Sequence, residues 1–220
     1  MDESLKCLNC GKIACEFPDR GKPDFCAQDT YDESASAEIR AEYTSPEVFD
    51  FMNAAALVSD NTRFSTRVED TLKFAKLIGA HKIGVATCTA MLNESRIFGS
   101  LLERAGFEVE GIGCKVDSVT RADLGLDDPH GKNTVLCNPL MQARLLNRAK
   151  TDLNVVMGLC VGHDALFSKY SDAPVTTLVT KDFLTGNNPC VALYASKGLF
   201  KRRLDETIDS LDDLVGEDEK

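Results

Sequence analysis

From residue 82 onward the chain alternates between two hydrophobic rhythms. Short, nearly continuous apolar runs at Lys82–Thr87, Phe107–Gly113, Leu153–Leu159 and Val175–Thr180 predict strands buried on both faces. Between them the apolar residues recur at three- and four-residue spacing. This predicts helices over Ala90–Ala105, ended by Gly106, over Pro139–Lys150 with Asn138 as cap, and a short one over Asp164–Tyr170. A last helix is expected over Pro189–Arg203, capped by Asn188. Upstream, Ser45 is placed to cap a helix that has Pro46 at its first position and Val48, Phe49, Met52, Ala55 and Ala56 at helical spacing. A second helix is expected from about Thr66 to Ile78, closed by Gly79.

Strands separated by helices of this length must be joined by crossovers, which makes the expected fold α/β. The layout is three-layered and Rossmann-like: a mainly parallel sheet of about four to five strands with helices on both faces. Residues 1–30 show neither rhythm, and the stretch Asp117–Asn133 is an irregular connection. The expected organisation is a cysteine-rich segment over 1–43, an α/β core over 44–204 and an acidic tail over 205–220, frayed or disordered after Leu204.

At 220 residues and 43% hydrophobic, the chain is long enough for one sizeable core and a small appendage. Its net charge of −10 is concentrated at the ends: residues 1–50 carry 12 acidic and 5 basic groups, and residues 205–220 carry 8 and 1. The stretch between them has 15 acidic and 19 basic groups, so the acidic total says little about the working surface. The only dense basic cluster is Lys201-Arg202-Arg203, which argues against general nucleic-acid binding. No apolar run reaches the roughly 18 residues of a membrane span, and the start, MDESLKCLNC, is charged where a signal peptide is apolar. A cytoplasmic protein without a membrane segment is expected.

Nine cysteines, an odd number, do not read as a disulfide set in a reducing compartment. Cys7, Cys10, Cys15 and Cys26 form a C-x2-C-x4-C-x10-C pattern in a loop-rich segment too poor in apolar residues to order itself. Such a set suits either a tetrahedral zinc site or an iron–sulfur cluster. Cys88, Cys114 and Cys160 each follow a predicted strand, and Cys137 precedes the helix begun by Asn138-Pro139. The carboxyl ends of parallel strands form the ligand-binding edge of such folds, so these four thiols are directed to one rim. Helix starts next to Cys88, Cys137 and Cys160 would lower their pKa values. Cys190, in the first turn of the last helix, reads as a packing residue.

In GLCVGHD, His163 and Asp164 sit in the turn after the Cys160 strand, and Lys181-Asp182 follow the next strand. Their expected roles are ligand or acid/base for His163, anion anchor for Lys181, and for Asp164 a catalytic or substrate-facing group beside His163. The alternative is that His163 and Asp164 cap a helix and Lys181 is solvated. His81 and His130 read as loop residues. No P-loop, GxGxxG, GxSxG or HExxH motif is present.

Three strings are more specific than any single spacing: CLNCGKIAC, VATCTAMLNESRIFGSLLERAGFEV, and CNPLMQARLLNRAKTDLNVVMGLCVGHDALFSKYSDAPVTTLVTKDFLTGNNP. In them the chain closely resembles a microbial family of uncharacterised "metal-binding" or unknown-function proteins, over nearly everything but the acidic tail. The resemblance implies metal and supplies no reaction. It carries over Cys7, Cys10, Cys15 and Cys26, and in the core Cys88, Cys114, Cys137, Cys160, His163, Asp164, Lys181 and Asp182. Asn187 stands where the family has histidine in a GHNP string, which argues against an indispensable ligand there. At Cys190 the family is apolar.

Three functions compete. In the first, Cys88, Cys114, Cys137 and Cys160 hold an iron–sulfur cluster doing redox or sulfur chemistry on a small molecule or with a redox partner, oriented by His163 and Lys181. The N-terminal cysteines then hold a second metal. The second is a non-catalytic module with zinc at the N-terminal set, sensing a ligand or binding a partner. The third is thiol catalysis with Cys160 as nucleophile and His163 as base.

Overall fold

A computed structural model describes residues 5–60, 62–129 and 131–214, so His130 lies outside the described residues. The chain divides into two compact units, Met1–Asn61 and Thr62–Lys220.

In the first unit, three single turns of 3-10 helix at Cys7–Asn9, Pro18–Arg20 and Ala27–Asp29 replace regular structure where the hydrophobic pattern shows none. Helix α1, Glu33–Glu42, was not signalled by apolar spacing. Its start is set by Asp32, whose carboxylate accepts the Ala35 N–H at 3.0 Å. Helix α2, Pro46–Ser59, begins where Pro46 predicts, but the Ser45 hydroxyl does not cap it and donates instead to the Glu42 carbonyl at 2.9 Å.

The second unit opens with α3, Arg67–Leu77, held by a reciprocal capping box: Thr66 accepts the Glu69 N–H, and Glu69 accepts the Thr66 N–H at 2.7 Å. Four strands follow, β1 Lys82–Thr87, β2 Glu108–Gly113, β3 Leu153–Met157 and β4 Val175–Val179, in the spatial order β2-β1-β3-β4 and all parallel. Helix α4, Leu92–Arg104, joins β1 to β2; α5, Pro139–Ala149, precedes β3; and α6, His163–Tyr170, joins β3 to β4.

Because side chains alternate along a strand, the sheet has two different faces. Ile83, Val85, Leu153, Val155 and Met157 pack against Ala75 of α3 and Phe98 and Leu102 of α4. On the opposite face, Ala86 and Val156 pack against Ala143 and Leu146 of α5 and Phe167 of α6. Full burial of a side chain such as Leu102, Leu146 or Phe167 contributes roughly 1.5–3 kcal/mol each. Gly84 is required on the second face, since a Cβ there would stand 1.9 Å from Asn154 Oδ1. The buried Asn154 is fully engaged, accepting from Thr151 Oγ1 at 2.8 Å and donating to Ser171 Oγ at 2.8 Å.

The helix expected over Pro189–Arg203 is instead two helices, α7 Cys190–Tyr194 and α8 Lys201–Asp209. Both Gly198 and Phe200 turn their N–H groups back to the Ala195 carbonyl, which ends the first helix and redirects the chain. The residues after Leu204 are not frayed as far as Asp209. Arg202–Glu206 (3.2 Å) and Lys201–Asp205 pairs at i,i+4 support α8. Among the described residues no helix is long and apolar enough to cross a membrane.

Candidate functional site

The chain leaves β1 toward β2 on one side, while β3 lies on the other, so the carboxyl ends of β1 and β3 flank the crevice where such sheets bind ligands. Cys88 extends β1 by one residue, its N–H donating to the Met157 carbonyl of β3 at 3.0 Å. Beyond β3 the chain turns at Gly158, which has φ +66°; a Cβ there would lie 2.8 Å from Met91 Cγ, so only glycine allows this approach. The turn ends at Cys160, whose carbonyl accepts the His163 and Asp164 N–H groups at 3.0 and 3.1 Å. Lys181, just past β4, reaches across both strand ends. Its Nζ stands 3.2 Å from Cys88 Sγ and 3.1 Å from Cys160 Sγ.

Cys114 follows β2 and is 2% exposed. Its sulfur accepts the Thr89 N–H at 3.4 Å, and its carbonyl accepts the Asn138 N–H at 2.8 Å, which draws the start of α5 to the same edge. Cys88, Cys114 and Cys137 lie in one packed cluster. The four core cysteines expected at one rim are thus brought together, and Lys181, expected as an anion anchor or a solvated group, is bonded to two of them.

The thiols are not electrostatically alike. Burial pushes Cys88 up, but the Ala90 N–H, the Lys181 ammonium and Cys114 outweigh it and hold the thiol below its ordinary 9.0. Burial first, and then the neighbouring Cys114 sulfur, push Cys137 up to about 11. The expectation that the start of α5 lowers Cys137 is therefore corrected, because burial and a second sulfur overcome the helix end. Burial also disfavours the charged form of Lys181, yet the sulfurs of Cys160 and Cys88 reverse this and hold the ammonium above its ordinary range.

The other expected residues divide. Cys160 Sγ takes its hydrogen bond from Lys181, and His163 Nδ1 is shielded from solvent with no partner among the described residues. Asp164 Oδ1 accepts the Ala165 N–H at 2.8 Å in its own helix. Asp182 Oδ1 accepts the Leu184 and Thr185 N–H groups at 3.1 and 3.2 Å, closing a turn with Asn187, whose φ is +64°. Cys190, read as packing, is exposed in the first turn of α7.

Sequence reasoning missed Gln142. It is fully buried on α5, and its Nε2 donates to the carbonyls of Thr87 and Ile112 at 3.2 and 2.8 Å, fixing the ends of β1 and β2 next to Cys88 and Cys114. A glutamine on the apolar face of a helix was the available signal.

In the first unit, Cys7, Cys10, Cys15 and Cys26 line one cavity of about 180 Å³ with Ile13 and Ala14. The Ile13 N–H donates to Cys10 Sγ at 3.4 Å, and Cys26 Sγ donates to Gln28 Oε1 at 3.9 Å. Among the described residues, no three His, Cys, Asp or Glu side chains are grouped closely enough to hold a metal ion as they stand. The donor chemistry of both sets suits a thiophilic metal; at the core rim the cation in contact with the sulfurs is Lys181.

Fold and site together define an α/β protein whose sheet carries thiols and the Lys181 ammonium at the edge where other parallel sheets place phosphate-binding glycines. The chain belongs to the family described as "Protein of unknown function (DUF1847)", whose model matches residues 26–178, from the last of the N-terminal cysteines to β4. It is also 35% identical over 199 residues to the uncharacterized protein MJ0455 of Methanocaldococcus jannaschii, covering 90% of this chain and 97% of that one.

Proposed function

We propose that the protein is a thiolate-ligated metalloprotein carrying out redox or sulfur chemistry on a small molecule at the carboxyl edge of its sheet. Cys88, Cys114, Cys137 and Cys160 would hold an iron–sulfur cluster, and Cys7, Cys10, Cys15 and Cys26 a second metal, zinc or iron. The observation that carries this reading is the convergence of four thiols, from four separate segments, on one crevice. A single nucleophile does not need three sulfur neighbours, whereas a thiolate-bound group does. A bound cluster would supply one-electron redox capacity. The protein's own contribution is electrostatic: Lys181 donates to the sulfurs of Cys88 and Cys160 and favours the anionic form of Cys88, and Thr89 and Ala90 offer N–H groups to sulfurs. His163 and Lys181 would orient the substrate, with Asp164 fixing the turn that carries His163. Support for the N-terminal set is the shared cavity and the Ile13 N–H aimed at Cys10.

The test is metal and sulfide analysis with a visible spectrum on anaerobically purified protein. Wild type should be brown and contain iron and sulfide. Cys88→Ser and Cys160→Ser should lose the colour, and Cys7→Ser and Cys10→Ser should lose a separate metal. Colourless, iron-free wild type would overturn the cluster. A second reading is then favoured by the contacts of Lys181: metal-free thiol chemistry in which Lys181, in place of His163, activates Cys88 or Cys160. Selective alkylation of one of these two thiols, abolished by Lys181→Met, would support it.

A further inference from the structure

Next to the thiol rim lies a cavity of about 400 Å³ that shares only Cys137 and His163 with the site proposed above. Its floor is the start of α5, from Cys137 to Leu140, and its side is His163 and Leu166 of α6. Its roof is the irregular connection after β2, which contributes Arg121, Leu124, Leu126 and Leu136. A connection this long is seldom ordered without a task, and this one is stitched shut. Thr120 and Val135 form an antiparallel bridge, Leu136 N–H donates to the Val119 carbonyl at 2.7 Å, and Lys115 Nζ donates to the Val135 carbonyl at 2.5 Å.

Two polar features interrupt the apolar walls. The side chain of Arg121 is paired with the Asp127 carbonyl at 2.6 Å, and among the described residues no carboxylate forms an ion pair with it. His163 Nδ1 is the second, a shielded nitrogen without a partner among the described residues. The amino-terminal ends of α5 and α6 meet at the same place, so their dipoles also favour a negative charge. Apolar walls with a few polar groups, in a volume of roughly 300–1,000 Å³, are what a small-molecule site requires.

We infer that this cavity binds a small carboxylate with an apolar body: its charged end on Arg121 and His163, its carbon skeleton against Leu124, Leu126 and Leu136, and one flank on Cys137. This deepens the proposed function by naming the substrate class, and it rests on that reading only for what the thiol rim does to the bound molecule. A neutral or cationic analogue lacks the partner for Arg121.

The experiment is titration calorimetry of the full-length protein with hexanoate, hexanamide and hexylamine, with a visible spectrum recorded on each preparation. Hexanoate should bind saturably, and the amide and amine at least about tenfold more weakly. Arg121→Gln should weaken hexanoate binding by about tenfold or more, Arg121→Lys less, and neither should alter the spectrum. Absence of saturable hexanoate binding, equal binding of hexanamide, or an Arg121→Gln variant that binds like wild type would each overturn the inference. Coloured protein that ignores hexanoate would reject this pocket and leave the cluster standing. Colourless protein that binds hexanoate through Arg121 would do the reverse.

Discussion

The two cysteine sets differ in how their thiols are held. Cys7, Cys10, Cys15 and Cys26 fall within 20 residues of sequence, are linked by turns, and include two exposed members, Cys7 and Cys15. Cys88, Cys114, Cys137 and Cys160 are 26, 23 and 23 residues apart in sequence, yet Cys88 and Cys114 are 5% and 2% exposed. The first set depends on local spacing within a segment that has no strand, its elements there being single 3-10 turns. The second is built by strand order, so the whole hydrophobic core positions it. A ligand-free N-terminal site should therefore be loose, and the backbone that carries the core rim should hold its fold without any ligand.

The largest effect that separates the two comes from the core. Phe167 of α6 is fully buried beneath the Cys160 turn and packs in the same cluster as Cys88 and Cys114. Phe167→Ala should cost about 3–5 kcal/mol in urea unfolding of chelator-treated protein. Cys15→Ser, measured in the same way, should fall within about 0.5 kcal/mol of wild type. Equal costs for the two would break the distinction.

A subtler test concerns charge. Lys181→Met removes the ammonium that helps hold Cys88 below 9.0, so in metal-free protein the alkylation midpoint of Cys88 should move upward. Cys137, pushed up to about 11, should remain the slower thiol at neutral pH in both proteins. The lowered Cys88 contributes stability that is fully present above its ordinary value of 9.0 and is lost as pH falls through the lowered one. The raised Lys181 contributes stability that is fully present below 10.5 and is lost as pH rises through its raised value. The stability difference between wild type and Lys181→Met should therefore be greatest between these two limits and shrink as the solution is acidified. A difference independent of pH would show that the lysine acts by packing alone.

Much of the fold was legible because two hydrophobic periods do not mimic each other. The run KIGVAT marks β1 to the residue, and the helix expected from about Thr66 is α3, beginning at Arg67. The set of core thiols was also readable, since each cysteine sits at a strand end or a helix start and parallel topology sends those ends to one side. What could not be read depends on which strands are neighbours. Lys181 bonds Cys88 from 93 residues away, a contact that exists only because β3 separates β1 from β4 by a single strand. Helix α1 was hidden for the opposite reason: it has a polar capping residue and no apolar stripe. The cavity roof could not be read either, because Arg121, Leu124 and Leu136 share no period and are assembled by backbone bonds within an irregular loop.

The smallest expected effect belongs to the ninth cysteine. Cys190 lies at the start of α7, is exposed, and has no part in either set; α7 is only five residues long because the chain turns back at Ala195. Substituting an exposed side chain with no buried partner normally changes stability by less than about 0.5 kcal/mol. Cys190→Ser should therefore leave unfolding, metal content and the pH profile of Cys88 alkylation unchanged, while removing one readily modified thiol from the count. That makes it the proper background for measuring the others, since what then remains reactive must come from one of the two sets. A loss of metal in Cys190→Ser would mean that the two-set division is wrong and that α7 contributes a sulfur to a site.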